Sequence, residues 1–126
     1  AENNNGEYIP LKDIAKRQEI SEKYLESIMV TMSKAGIIKG LRGKGGGYKL
    51  ALAPMDITVG RILKVTEKSL APVSCLEMQP NLCKRSPACK TVRVWQEMYR
   101  VVDEYIESVT IADLVDEIDS SDFYVI

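Results

Sequence analysis

The sequence predicts a mostly α-helical fold with a small β-wing, in which a winged helix-turn-helix is followed by a long C-terminal dimerisation helix. Three observations lead to this prediction. Two short amphipathic helices, separated by a tight turn, precede a glycine-rich hairpin. A heptad-like apolar stripe marks the long helix, and all three cysteines lie in the loop before it. The 126 residues suffice for one domain with a modest core.

The helix-turn-helix is predicted near the start of the chain. Its first helix covers residues 11–17, where Leu11, Ile14 and Ala15 share one face, and its turn covers residues 18–20. In the second helix, Ser21 is a favourable N-cap and Gly36 a favourable C-terminal cap. An apolar stripe with helical spacing predicts its buried face, formed by Leu25, Ile28, Met29 and Met32. The opposite face carries Lys23, Ser27, Thr31 and Lys34. The pattern favours a DNA-binding motif over a solvated helix pair.

A β-hairpin is predicted directly after the second helix. Residues 37–39 and 48–52 have the composition of strands, and the glycine-rich stretch 41–47 forms the turn between them. Arg42 and Lys44 lie in this turn, where glycines let the backbone approach a partner and an arginine can enter a minor groove. A phosphate-binding nucleotide loop is excluded, because a glycine follows the lysine where that motif needs Ser or Thr.

The charges are distributed unevenly, although the net charge is only −1. Residues 1–52 hold nine Lys/Arg and six Asp/Glu, whereas residues 53–126 hold eight and twelve. Between Ser27 and Met55 there are five basic residues and no acidic one. A basic first half suits contact with a polyanion such as nucleic acid. The five basic residues are Lys34, Lys39, Arg42, Lys44 and Lys49.

All three cysteines, Cys75, Cys83 and Cys89, lie within one stretch of fifteen residues. Thiolates are soft ligands that favour iron–sulfur clusters, zinc or copper(I), and Pro80 and Pro87 hinder a regular helix between them. The spacing is not the paired C-x2-C of a zinc ribbon, and the chain has no histidine, so a four-ligand site lacks one ligand. A metal or cluster site is the preferred interpretation. Buried packing thiols and a disulfide are the alternatives.

After the cysteine loop, apolar residues spaced 3-4-3-4 predict an amphipathic helix of about two heptads. The stripe consists of Trp95, Met98, Val102, Tyr105 and Val109, and it is widened by Val94, Val101 and Ile106. Either the chain's own core or a second subunit must cover such a face. We expect a homodimer, because a two-fold protein matches a palindromic DNA site. Thr110 and Asp113 then form a capping box that opens a last helix.

The remaining features indicate where the protein is located and whether it is an enzyme. No apolar run reaches the roughly 20 residues of a membrane span, and no signal peptide is visible. An odd number of clustered cysteines suits a reducing cytosol, so we expect a cytoplasmic protein without a membrane partner. An enzyme is not expected, because the chain has no histidine and no nucleophile–base pair.

Together these stretches resemble the Rrf-type winged-helix regulators, a family with IscR-like and NsrR-like members. The resemblance covers nearly the whole chain, and the wing together with the cysteine triplet makes it specific. The matching stretches begin at Leu11 (LKDIA), Ile20 (ISEKYLE), Lys34 (KAGII), Arg42 (RGKGGGY), Ile57 (ITVG), Ala71 (APV) and Val109 (VTIADLV).

The resemblance implies a homodimer that binds double-stranded promoter DNA. It also implies an iron–sulfur cluster held by Cys75, Cys83, Cys89 and one further ligand, with 2Fe–2S favoured and 4Fe–4S possible. Loss of the cluster is expected to change which promoters are bound. The positions that match the family's DNA contacts are Ser21, Lys23, Tyr24, Glu26, Arg42, Gly43 and Lys44. A carboxylate at Glu26 accepts from cytosine and repels phosphate, which favours a role in discriminating between sites.

Two departures from the family pattern concern the fourth ligand. Members with a histidine ligand carry it three residues after the third cysteine, where this chain has Val92. Other members take an acidic residue from a helix that precedes Leu11, and we expect this sequence to start after most of that helix. The candidates are then a residue outside the given sequence, a local carboxylate such as Glu77, or a small molecule.

These inferences divide the chain into three parts. Residues 1–70 form the winged helix-turn-helix DNA-binding region without its first helix, residues 71–91 the cluster-binding loop, and residues 92–126 the dimerisation helix and C-terminal helix. The predicted function is a transcription regulator that senses iron–sulfur or redox status, as iron–sulfur biogenesis regulators of the IscR type do. One alternative is a cluster-free winged-helix regulator controlled by thiol oxidation, zinc or a partner protein. Another is a protein-interaction module whose basic half is only a solvated face.

Overall fold

The computed structural model describes residues 1–67, 70–71 and 88–120, with side chains described as far as residue 116. Within these ranges the chain is mostly helical with one small antiparallel sheet, as the sequence predicts. The elements are α1 (Leu11–Gln18), α2 (Glu22–Lys34), β1 (Ile38–Leu41), β2 (Gly47–Leu50), a 3₁₀ turn (Pro54–Asp56), α3 (Val59–Thr66), α4 (Val92–Ser108) and α5 (Ile111–Ser120).

The helix-turn-helix forms because each of its boundaries has a local cause. Glu19 ends α1 in the left-handed conformation, with φ of 55°. The Ser21 hydroxyl then accepts a hydrogen bond from the Tyr24 amide at 3.1 Å, which satisfies one of the free donors at the start of α2. Gly36 follows the end of α2 with φ of +78°, a conformation that costs glycine little. These positions confirm the predicted caps, and the turn begins at Glu19, one residue later than predicted, because Gln18 is the last residue of α1.

The wing is a two-stranded antiparallel hairpin whose tip is shorter than predicted. Ile38 pairs with Leu50 and Leu41 pairs with Gly47, so the unpaired wing tip consists of residues 42–46. The predicted strand limits were wrong by one or two residues, because backbone pairing continues into the glycine-rich stretch. The segment before α1 adds a bridge, in which Ile9 exchanges two backbone hydrogen bonds of 2.9 and 2.8 Å with Tyr48.

The core lies inside the winged helix-turn-helix. Its buried members come from α1, α2, β1 and the connections beside them, namely Ala15, Leu25, Met29, Ile37, Ile38 and Ile57. Half-buried residues extend this core, including Leu11, Ile14, Ile62 and Val65, and Ile111 of α5 packs against it as well. The C-terminal part of the chain is therefore attached to the same core as the hairpin.

A backbone bridge makes this attachment. Thr58 and Thr110 pair in antiparallel fashion; the Val59 amide donates to the Val109 carbonyl at 2.8 Å, and the Ile111 amide donates to the Ile57 carbonyl at 2.9 Å. The start of α3 and the junction of α4 with α5 are thus held side by side. In the described ranges, no helix combines the length and the apolar character that crossing a membrane requires.

Candidate nucleic-acid interface

The N-terminal half of α2 presents its candidate contact residues to solvent. Ser21, Lys23, Tyr24 and Glu26 are all exposed, while the apolar stripe of the helix faces the core. Tyr24 is the most informative of them, because an aromatic side chain that is 62% exposed on a folded domain is available to a partner. The Ser21 hydroxyl already accepts the capping hydrogen bond from the Tyr24 amide, so a contact with DNA would be a second interaction of the same hydroxyl.

The wing tip is a tight turn that only glycine-rich sequence can form. Arg42, Gly43 and Lys44 are exposed, and Gly43 has φ of +95°. The Gly46 amide donates to the Gly43 carbonyl at 3.0 Å. A Cβ atom at Gly46 would overlap the Leu41 carbonyl oxygen. The backbone therefore fixes a thin turn that projects two cationic side chains.

A groove joins the wing to the C-terminal half of α2. It has a volume of about 620 Å³ and includes two basic residues outside the predicted contact set, Lys12 and Lys34. The charge of Lys34 was visible on the outer face of α2, but nothing local in the sequence distinguishes Lys12 from other surface lysines. The lining residues are Pro10, Leu11, Lys12, Val30, Ser33, Lys34, Gly40, Leu41, Arg42, Gly46, Gly47 and Tyr48.

Lys49, one of the five basic residues between Ser27 and Met55, already contacts other residues of the chain. The Lys49 ammonium donates to the Gly6 carbonyl at 3.2 Å and lies 4.6 Å from the centre of the Tyr8 ring. These contacts are a hydrogen bond and a cation–π interaction that hold the N-terminal segment against β2. Lys39 lies directly opposite Lys49 in the hairpin and remains exposed.

The predicted dimerisation stripe of α4 is largely uncovered in the single chain. No residue of α4 is buried. Met98, Val102 and Tyr105 of the predicted set are exposed, whereas Trp95 and Val109 are half-buried. Val109 follows the end of α4, and its carbonyl takes part in the bridge to α3. The widest exposed apolar surface of α4 consists of Val94, Met98, Val101, Val102 and Tyr105.

The other side of α4 contacts α3 through charged groups, which we call the α3–α4 junction. The Lys64 ammonium lies 2.7 Å from Asp103 and 3.0 Å from Glu107, and the Thr58 hydroxyl donates to Glu107 at 3.1 Å. Hydrogen bonds from Lys64 to Asp103 and Glu107 raise the pKa of the lysine above its ordinary value. Gly60 permits this close approach, because a Cβ atom there would overlap the Glu107 carboxylate.

Only one of the three predicted cluster ligands can be placed. Cys89 is half-buried just before α4, and its sulfur lies 3.4 Å from the Thr91 hydroxyl. Cys75 and Cys83, like the candidate Glu77, lie outside the described residues. Over residues 1–67, 70–71 and 88–120, no three His, Cys, Asp or Glu side chains are grouped to hold a metal. The cluster site therefore stays a prediction.

Comparison with known proteins agrees with this architecture. A family model described as Rrf2, iron-dependent transcriptional regulator, matches residues 1–117. Protein rrf2 of Nitratidesulfovibrio vulgaris is 40% identical over 107 residues, which span 85% of this chain and 71% of that protein. The structure of T. potens IscR aligns with a TM-score of 0.73 and 33% identity, covering 97% of this chain and 79% of that one. CymR, described as the global cysteine regulator of B. subtilis, aligns with a TM-score of 0.71 and 30% identity, covering 96% and 85%.

Proposed function

Because the chain belongs to the Rrf2 family of iron-dependent transcriptional regulators, we propose that it binds promoter DNA as a homodimer under the control of an iron–sulfur cluster. The observation that carries this proposal is the joint exposure of the N-terminal half of α2 and the wing tip. Both belong to the basic half of the chain, and the stretch from Ser27 to Met55 holds five cations and no acidic residue. Such a surface suits the phosphate backbone of a duplex.

The proposed contacts divide between two grooves of DNA. The major groove admits an α-helix, so the exposed face of α2 reads base edges there. The wing tip is thin enough for the adjacent minor groove, which attracts arginine and lysine side chains. The α2 contacts are Ser21, Lys23, Tyr24 and Glu26, and the wing contacts are Arg42, Gly43 and Lys44.

The homodimer is supported by the exposed stripe of α4. Burying one Val or Met side chain contributes about 1.5–3 kcal/mol, and five large apolar side chains of this helix face solvent in the single chain. A second copy packed against the same stripe covers both faces at once and places two α2 helices for a two-fold DNA site.

The chemistry of the cysteine donors fits an iron–sulfur cluster. Cys75, Cys83 and Cys89 supply three thiolates, the usual ligands of such clusters. The Thr91 hydroxyl, 3.4 Å from the Cys89 sulfur, is placed for a hydrogen bond of the kind that tunes cluster ligands. When bound, a cluster supplies a redox-sensitive link between three thiolates that lie within fifteen residues of the sequence. A 2Fe–2S cluster is favoured, and a 4Fe–4S cluster is the alternative.

A series of contacts within the chain connects the cysteine loop to α2. Cys89 lies three residues before Val92, the first residue of α4, so restraining this cysteine restrains the start of the helix. At the α3–α4 junction, α4 is held against α3 by Lys64. From α3, the Arg61 guanidinium donates to the Ala35 carbonyl at the C-terminal end of α2, at 3.4 Å. Through these contacts, binding or release of the cysteines by a cluster is expected to shift the position of α2.

The first test is iron and acid-labile sulfide analysis, with the visible absorption spectrum, on protein purified without oxygen. About two irons per chain identify 2Fe–2S and about four identify 4Fe–4S. Substituting Cys75, Cys83 or Cys89 with Ser is expected to abolish the iron content and to weaken binding to one class of promoter in mobility-shift assays. Unchanged DNA affinity at every promoter would contradict control by the cluster.

The second candidate is a cluster-free winged-helix regulator in which thiol oxidation, zinc or a partner protein is the signal. It is favoured by the structural similarity to CymR, a cysteine regulator. Val92, at the place of the family's histidine ligand, agrees with it as well. Iron-free protein that still binds DNA as a dimer, with an affinity that changes on thiol oxidation, would select this candidate.

A further inference from the structure

The N-terminal segment contains three consecutive asparagines followed by a glycine, Asn3 to Gly6, and the proposed DNA, dimer and cluster contacts use none of them. All four residues are exposed to solvent. An asparagine is chemically labile when the backbone nitrogen of the next residue can attack its side-chain amide carbon. A following glycine favours this attack, because it has no side chain and its backbone is flexible. The three asparagines therefore differ in whether the next backbone nitrogen is free to react.

The backbone nitrogens that follow Asn3 and Asn4 are occupied. The Asn4 amide donates to the Ala1 carbonyl at 2.9 Å, and the Asn5 amide donates to the Asn3 carbonyl at 3.0 Å. An amide that donates a hydrogen bond must give it up before it can lose its proton and attack a neighbouring carbon. The local fold thus protects the first two asparagines from the nitrogens that would attack them.

The nitrogen that follows Asn5 has no such restraint. No group in the described part of the chain accepts a hydrogen bond from the Gly6 amide. A Cβ atom at Gly6 would meet nothing within 4 Å, so the residue lies in open space. The Lys49 ammonium, 3.2 Å from the Gly6 carbonyl oxygen, places a positive charge beside this residue and favours loss of its amide proton. Gly6 therefore presents an accessible nucleophilic nitrogen.

The Asn5 side chain is held in a conformation that suits its role as the electrophile. Its Oδ1 atom accepts a hydrogen bond from the Glu7 amide at 3.0 Å. This bond closes a ring of atoms that contains both the reacting carbon, Cγ of Asn5, and the nitrogen of Gly6. A donor on Oδ1 also stabilises the negative charge that develops on this oxygen when the carbon is attacked.

We propose that Asn5–Gly6 is a site of spontaneous covalent modification, at which the Asn5 amide becomes a carboxylate and the isoaspartate product loosens the N-terminal segment from β2. The Gly6 nitrogen forms a bond to Cγ of Asn5, the bond from Cγ to Nδ2 breaks, and Nδ2 leaves as ammonia with the proton of the Gly6 amide. Water then opens the cyclic imide at either carbonyl and gives aspartate or isoaspartate. Water is the only co-reactant, and nothing is oxidised or reduced.

The isoaspartate product alters the main chain beside contacts that hold this segment against the wing. It inserts one methylene directly before Gly6, whose carbonyl accepts from Lys49 of β2. Three residues further on, Ile9 exchanges two backbone hydrogen bonds with Tyr48. We expect the longer main chain to weaken both contacts. This inference does not depend on the proposed DNA-binding function.

The first experiment follows the three asparagines separately. The chain and an unfolded peptide of residues 1–9 are incubated in mildly alkaline buffer, and mass spectrometry with electron-transfer fragmentation locates aspartate and isoaspartate. In the folded chain, we expect Asn5 to react within about threefold of its rate in the peptide. Asn3 and Asn4 should react at least about tenfold more slowly than in the peptide, because their attacking nitrogens are hydrogen-bonded.

Asn5→Gln is the matched control for the site. It keeps the amide, but its longer side chain cannot close the same ring, so no product is expected at this position. If the fold slows Asn5 as strongly as it slows Asn3 and Asn4, the modification site is wrong.

The second experiment measures the consequence for the wing. Aged protein, separated from the unmodified form by ion exchange, should exchange the Tyr48 amide hydrogen at least about threefold faster, while the Leu25 amide of α2 is unchanged. Asn5→Asp adds the same charge without the extra methylene and should stay within about twofold of the unmodified protein. Unchanged protection of Tyr48 in isoaspartate-containing protein would overturn the proposed loosening.

Discussion

The winged helix-turn-helix buries many of its apolar side chains, whereas the helix α4 leaves most of its apolar stripe exposed. All six buried hydrophobic residues of the described chain lie between Ala15 and Ile57. In α4, by contrast, no residue is buried, and five large apolar side chains are exposed. The first region therefore obtains its stability within one chain, whereas α4 exposes a face that is stabilised only when something covers it.

The same contrast appears in the polar contacts. The helix-turn-helix is fixed by short-range hydrogen bonds at its caps, such as the one from the Tyr24 amide to Ser21. The position of α4 depends on charged side chains at the α3–α4 junction and on the backbone bridge beside Thr58 and Thr110. Substitutions in the two regions should thus differ in size and in their dependence on protein concentration.

The largest expected effect is in the core. Ile57→Ala removes a side chain that is 1% exposed and should lower the free energy of unfolding by about 2–5 kcal/mol, since it loses apolar burial and leaves a cavity. Met55→Ala, two residues earlier at a side chain that is 68% exposed, is the matched control and should change stability by less than about 0.5 kcal/mol. Urea unfolding followed by circular dichroism measures both. Similar losses for the two variants would refute the assigned core.

The next largest effect is expected on dimerisation through the exposed apolar stripe of α4. Met98→Glu places a charge within the exposed stripe and should raise the dissociation constant of the proposed homodimer at least about 100-fold, because two such charges are buried per dimer. Gln96→Glu adds the same charge to α4 outside the stripe and should leave the dimer intact. Sedimentation velocity over a concentration series distinguishes the two. A Met98→Glu protein that stays dimeric would move the interface away from this face.

A smaller effect is expected at the start of α5. The Thr110 hydroxyl accepts from the Asp113 amide at 3.1 Å, while the Asp113 carboxylate accepts from the Thr110 amide at 2.9 Å. Thr110→Ala should cost about 1 kcal/mol of stability. Thr91 occupies the N-cap of α4 without a capping hydrogen bond from its side chain, so Thr91→Ala should cost less. Chemical denaturation of the metal-free protein compares the two, and a loss for Thr110→Ala no larger than that for Thr91→Ala would contradict a stabilising role of the capping hydrogen bonds.

The features that could be predicted from sequence are those with local causes. The Ser21 cap, the Gly36 terminus and the Thr110–Asp113 capping box each depend on groups within about four residues of one another, so the residue types alone indicate them. The amphipathic stripe of α2 is likewise a matter of spacing. Strand limits in the wing were wrong by one or two residues, because pairing extends into glycines whose composition suggests a loop.

The features that were missed depend on chain folding. Lys49 contacts Gly6 across 43 positions of sequence, and Lys64 contacts Glu107 across the same separation. Lys12 lines the groove only because the chain folds the start of α1 beside the same groove as β1. No spacing rule brings such residues together, so their roles become visible only in the folded chain. The predicted cluster ligands Cys75 and Cys83 and the predicted domain limits stay predictions.

The smallest expected effect is the pH dependence of the α3–α4 junction. Its carboxylate partners raise the pKa of Lys64 above the ordinary 10.5, so the folded protein holds this proton more tightly than the unfolded chain does. The stabilisation is complete below about pH 10.5 and is lost as the pH rises through the folded-state value. Because the Lys64 side chain is 45% exposed, solvent screening limits the contribution to roughly 0.2–1 kcal/mol.

A double-mutant cycle isolates the interaction energy between Lys64 and Asp103. Lys64→Met and Asp103→Asn, singly and together, should show a coupling energy of this size at pH 7 that falls in 1 M salt and vanishes at strongly alkaline pH. Because these charges help to hold α4 against α3, losing them should loosen α4 more than the helix-turn-helix. Hydrogen exchange should therefore quicken in α4 while the amides of α2 keep their protection. Equal acceleration in both helices would mean that α4 is as firmly integrated into the fold as the core, and the contrast between the two regions would not hold.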